Sequence, residues 1–158
     1  YQEIPASESP TVESEGVWAR VIAGECMGTT SSIDTVIPIT LIHVKMEVGA
    51  KLNQNIDSLL NSMIYVFSGK VTVFNETRIK TRPQSLGLGV NQQISDGELA
   101  VLSEGPEVEI RSNMESELLI LAGPELNEPI SRYGPFVMNT REEIQQAFFD
   151  YQNGTLGN

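Results

Sequence analysis

Short runs of strand-forming residues separated by turns recur along this chain, and in several of them alternate side chains share one face, the pattern of strands with one buried face. Residues 17–23, Val-Trp-Ala-Arg-Val-Ile-Ala, have the β-branched and aromatic content of a strand, and Gly24 ends it. Residues 37–48 predict a long strand with Thr40, Ile42, Val44, Met46 and Val48 on one face and Ile37, Ile39, Leu41 and His43 on the other. Residues 63–67 and 70–74 read as two strand pieces joined at Ser68-Gly69, because glycine inside a strand pattern marks a bulge or a corner. Residues 98–103, 107–111 and 117–122 add three short strands separated by turn chemistry. Many short strands with frequent turns predict an all-β sandwich or barrel.

The period changes only near the end. Ile144, Ala147, Phe148 and Tyr151 recur at helical spacing, Thr140 and Glu143 form a capping box, and Gly154 is a natural stop. One amphipathic helix therefore follows the strands. Ordered structure is expected to begin near Val17, since residues 1–16 mix two prolines with acids and serines and bury little. Residues 28–32 read as a loop, and residues 78–93, polar and without a period, as a long one.

Composition narrows the function classes. A chain of 158 residues is the size of one domain and needs no staple to fold. Ten basic against twenty-one acidic residues give a net charge of −11, which repels a phosphate backbone, so direct nucleic-acid binding is not expected. The lone cysteine, Cys26, has no internal partner, and no apolar run approaches the length of a membrane helix. These features point to a soluble protein of a reducing compartment. The chain opens at Tyr1 without Met, which reads as the middle of a longer protein.

Two spacings carry the candidate chemistry. The first runs Gly49, five residues, Asn55-x-Asp57, four residues, Ser62, six residues, Gly69; the second runs Gly97, five residues, Ser103-Glu104-Gly105, two residues, Val108. They resemble the two cupin motifs, in which His-x-His and Glu stand in the first and a fourth ligand His in the second. The resemblance implies that Asn55, Asp57, Ser62 and Val108 occupy vestigial ligand positions lining a cavity. Of these only Asp57 is a strong ligand; a valine coordinates nothing, and redox metals in such sites favour imidazole and carboxylate. His43 is the chain's single histidine and reads as a packed or hydrogen-bonded strand residue. Glu107 and Glu109 read as a solvated face. No catalytic residue, cofactor or metal is assigned to this chain, and no P-loop, GxGxxG, CxxC or HExxH motif occurs.

The closing text is more specific. Gly123-Pro124, Glu128-Pro129-Ile130 and Tyr133-Gly134-Pro135-Phe136-Val137-Met138-Asn139-Thr140 are similar to the C-terminal end of the pirin family, two-cupin proteins, and residues 20–25 resemble the first strand of that family's C-terminal half. The likeness implies a cupin-like jelly-roll barrel or sandwich over residues 17–125. It also implies an inter-domain connection over 1–16, and a tail with the helix over 126–158. The resemblance further implies that iron or a similar metal sits in the N-terminal cupin on three histidines and a glutamate, beginning with His-Pro-His-Arg-Gly, a run this chain lacks. Pirins are associated with quercetin 2,3-dioxygenase activity and, in eukaryotes, with transcription regulators in the nucleus.

Three readings follow. The first is a non-catalytic C-terminal cupin that supports a metal-bearing N-terminal cupin of the same protein, or binds a protein partner such as a transcription regulator. In that reading Tyr133 and Phe136, large apolar groups in the tail, form an interface. The second is part of a quercetin 2,3-dioxygenase-like enzyme whose activity needs the other half. The third is a ligand-binding barrel with a vacated site. Unpaired strand edges also leave a homodimer open.

Overall fold

The computed structural model describes residues 5–74, 91–102 and 105–157 of the chain. Two compact units are present, a strand-built unit ending at Glu125 and a smaller one from Leu126 onward.

In the strand-built unit, β1 (Thr11–Ser14) and β2 (Val17–Ala23) form a hairpin, followed by the short pair β3 (Glu25–Cys26) and β4 (Thr29–Thr30). Next come β5 (Thr40–Met46), β6 (Lys51–Asn55), β7 (Asn61–Ser68), β8 (Lys70–Phe74) and β9 (Asn91–Ser95). The series closes with β10 (Leu99–Val101), β11 (Glu107–Ser112) and β12 (Ser116–Gly123). One sheet has the order β1-β2-β5-β12-β7-β10 and the other β6-β11-β8-β9, with every described pairing antiparallel. Consecutive strands repeatedly change sheet, as a jelly roll does. The strand-built unit is therefore a mostly-β, jelly-roll-like sandwich, and one helix follows it among the described residues.

The core lies between the two sheets. Ile42, Ile64, Leu118 and Ile120 enter it from the six-stranded sheet and Leu52, Val71, Val73 and Ile110 from the four-stranded one, all nearly or fully inaccessible. Each such side chain contributes roughly 1.5–3 kcal/mol of transfer free energy. The strict alternation of buried and half-buried residues along β2 and β12 is the sequence period made visible.

Glycine is required at one corner. Gly69 separates β7 from β8 at φ +84°, and a Cβ there would lie 2.8 Å from the Cα of Ser116. Lys70 N donates to Ser116 Oγ at 3.0 Å, which fastens the corner to the start of β12.

Several boundaries differ from the sequence expectation. Order begins before Val17, because β1 pairs with β2 from Thr11↔Arg20 to Ser14↔Val17; its side chains are mostly exposed, so it carries no apolar signal. β5 is shorter than residues 37–48, with Val48 exposed beyond its end. β6 has only one apolar residue, and β3–β4 forms a hairpin where a loop was expected from residue 28. Asn91–Ser95 is a strand where the end of the long loop expected over 78–93 would fall; residues 78–90 lie outside the described residues.

The smaller unit pairs β13 (Ser131–Tyr133) with β14 (Phe136–Met138) and continues into α1 (Arg141–Asn153). Its hairpin carries Tyr133 and Phe136, for which the sequence pattern predicts no strand. Thr140 Oγ1 accepts from Glu143 N at 3.2 Å while Glu143 Oε2 accepts from Thr140 N at 2.8 Å, completing the capping box. Those backbone and side-chain donors hold the Glu143 carboxyl below its ordinary range. Gly154, at φ 70°, closes the helix. Ile144 and Ala147 are buried, whereas Tyr151, expected on the same face, is exposed.

Candidate functional site

β6 decides where the vestigial ligand positions point. Its inward side chains are Leu52 and Gln54, followed by buried Ile56 just past the strand, while Lys51, Asn53 and Asn55 face outward. Asn55 is thus on the opposite face from the core. Asp57 is exposed as well, and its Oδ1 accepts from Leu59 N at 2.9 Å, which builds a turn. Ser62 on β7 and Val108 on β11 are buried. The four positions do not share one lining: spacing placed the His-x-His equivalents one residue out of phase, and Gln54 and Ile56 take the inward places. The repeat Leu52-x-Gln54-x-Ile56 was the signal for this.

Gln54 is 4% exposed. Its Nε2 donates to the carbonyls of Glu25 at 2.9 Å and Asn55 at 2.7 Å, and its Oε1 has no partner among the described residues. That amide ties β6 to the β3–β4 hairpin. Beside it opens a cleft of about 480 Å³, with Asn53 to Asp57 on one side and Glu25 to Gly28 on the other. Ser62 and Val108 do not line it.

The inward set Gln54, Ile56, Ser62 and Val108 does not fit a mononuclear iron site. It offers one amide oxygen, a hydroxyl and two hydrocarbons, with neither imidazole nor carboxylate. Among the described residues no three His, Cys, Asp or Glu side chains are grouped for a metal. Cys26, buried at the cleft wall, has its thiol pushed up to about 11, chiefly by burial and further by Glu25.

A polar-aromatic cluster lies on the outward face of the six-stranded sheet. Glu117 on β12 meets Lys45 Nζ at 3.1 Å and His43 Nε2 at 3.1 Å, both on β5. The Lys45 hydrogen bond, then that of His43, holds the Glu117 carboxyl below its ordinary range against the opposing effect of burial. The His43 ring stands edge-on to Trp18 with centroids 5.4 Å apart and lies 5.6 Å from Phe67. Trp18 in turn carries the Arg20 guanidinium at 5.5 Å. On the other sheet, Glu109 is not simply solvated: Lys51 Nζ approaches it to 2.7 Å and Arg111 Nε to 2.8 Å, and these hold its carboxyl low, Lys51 first.

In the smaller unit Tyr133 is 68% exposed and Phe136 half-buried. Both stand edge-on to Phe148, at 5.4 and 4.8 Å between centroids.

The two-sheet sandwich, whose consecutive strands switch sheets, is the architecture of the cupin class. A family model described as the pirin C-terminal cupin domain matches residues 41–157, and the chain belongs to the pirin family. It is 35% identical to human pirin over 99% of this chain and 51% of that protein. A pirin-like protein of Solanum lycopersicum is 33% identical, over 99% of this chain and 50% of its own length. Among solved structures, a quercetin 2,3-dioxygenase from Acinetobacter baumannii superposes with a TM-score of 0.78 at 30% identity, covering 100% of this chain and 51% of that one. The chain spans about half the length of the relatives it matches. Among the described residues no helix is long and apolar enough to cross a membrane.

Proposed function

We propose that this chain is the metal-free C-terminal cupin of a two-cupin protein, with the role of packing against and supporting a metal-bearing N-terminal cupin. The observation that carries this reading is the inward set Gln54, Ile56, Ser62 and Val108, which leaves a cupin scaffold without ligand chemistry. The half-length match to human pirin supports it, since that relative has room for a second domain. Iron belongs, in this reading, to the other half. Tyr133 and Phe136 are its interface residues, and the protein works in the cytoplasm or nucleus, where a transcription regulator is a further partner.

A second reading makes the chain part of an iron-dependent quercetin 2,3-dioxygenase-like enzyme, favoured by the likeness to the Acinetobacter protein. The two readings share the supporting role and differ in whether the assembled protein turns over a flavonol.

The deciding measurement is the iron, copper, manganese, nickel and zinc content of the purified chain. Sub-stoichiometric metal is the expected result. A tightly held, stoichiometric redox metal would overturn the proposal and return catalysis to this chain. Flavonol turnover by a two-cupin protein containing this chain would favour the second reading.

A further inference from the structure

We propose that the groove between β13 and the start of α1 docks a polypeptide segment that presents carboxylates beside an apolar side chain and lies extended along the edge of β13 opposite β14. This rests on the reading of Tyr133 as an interface residue and adds the chemistry of the segment that the interface receives.

The groove encloses about 600 Å³ and is walled by Ile130, Arg132 and Tyr133 from the β13 side and by Arg141, Ile144 and Phe148 from α1. Ile130 through Tyr133 all line it, so it follows the strand itself. β13 has β14 on one side and, among the described residues, no strand on the other. Such an edge offers main-chain hydrogen bonds to an added strand. Ile130 and Tyr133, 80% and 68% exposed, form an apolar shelf next to it.

Charge selects the occupant. The chain carries −11 overall, yet this groove holds two guanidiniums, and neither Arg132 nor Arg141 has an ion-pair partner among the described residues. Two nearby acids are committed elsewhere: Glu128 accepts from the Asn139 side chain and Glu143 from the Asn139 and Thr140 amides. Guanidinium forks favour carboxylates, with bidentate geometry. A nucleic acid would have to approach a strongly acidic protein, which disfavours it.

The test is fluorescence anisotropy on the 158-residue chain, with a fluorescein-labelled peptide alternating glutamate and leucine. Its glutamine and lysine counterparts and a single-stranded oligonucleotide serve as comparisons. The acidic peptide should bind, and affinity should fall roughly tenfold or more in the double variant Arg132→Gln, Arg141→Gln, and with the glutamine peptide. Arg132→Lys with Arg141→Lys should keep part of it. Circular dichroism confirms that each variant remains folded. Equal binding of the glutamine peptide, or undiminished binding by the double glutamine variant, would overturn the proposal; so would an oligonucleotide that competes as well as the peptide. A chain that is metal-poor but ignores the peptide loses this inference alone, whereas one that binds the peptide yet carries stoichiometric metal loses the metal-free reading alone.

Discussion

Gln54 faces Val108 directly across the β6–β11 ladder, and both side chains are buried inside the sandwich. This pairing fixes the inward phase of β6 and hence which substitutions rebuild a ligand set. Gln54→His, Ile56→His, Ser62→Glu and Val108→His together should confer binding of zinc or nickel. The set with Asn55→His and Asp57→His in place of the first two should not, because those side chains face outward. Calorimetric titration separates the two. Without metal the inward set should be destabilised by about 2–5 kcal/mol through buried polar groups. A hundredfold metal excess over Kd should restore about 2.7 kcal/mol of that. Metal binding by the outward set instead would refute the phase.

Gly69 and Gly49 share a left-handed backbone but not a neighbourhood. Gly69→Ala drives a methyl into the Glu115–Ser116 backbone at φ +84°, whereas Gly49, at φ +80°, has nothing within 4 Å of the added carbon. Urea unfolding should show a loss of about 3 kcal/mol or more for Gly69→Ala and only about 1 kcal/mol for Gly49→Ala. Equal losses would mean that backbone strain alone governs both.

Acid should erase the contribution of Glu117. Its carboxyl titrates low because of Lys45 and His43, so the stability it supplies is present above the unfolded glutamate range near pH 4.3 and disappears as pH falls through the folded value. With 35% of the side chain exposed, Glu117→Gln should cost only about 0.5–1 kcal/mol at pH 7, less at high salt. Below the folded value the two chains should be equally stable in urea. A gap that persists there would trace the loss to packing rather than charge.

Cys26 should be nearly inert in the native protein. With its thiol at about 11 against an unfolded value near 8.5, labelling by a thiol reagent at pH 8 should be roughly a hundredfold slower than in urea. The same shift makes stability decline as pH rises above the unfolded value toward 11. Rapid native labelling would show that the hairpin β3–β4 opens readily.

What the sequence makes legible is what burial writes into it. β2, β7, β8, β11 and β12 were readable because alternate positions are apolar, and α1 because its cap is spelled out by Thr140 and Glu143. β1, β6, β9 and the β13–β14 hairpin were not, for they are short, polar or exposed and held by backbone pairing that any side chain permits. The site suffered from the same silence. Glycine spacing aligned Asn55 and Asp57 with ligands, while the core set the phase of β6 through Leu52. Arg132 and Arg141 are nine residues apart in sequence, and only the hairpin and the helix start bring them to one groove.

The corner at Gly69 has a mechanical consequence. β7 and β8 are consecutive yet belong to different sheets, with a single residue between them that accepts no side chain. A splice this short leaves no slack, so one layer cannot slide or peel without dragging the other. The sandwich should therefore behave as one rigid plate under load, and any yielding should begin at its polar margins, β1 and β6, rather than at the seam between its layers.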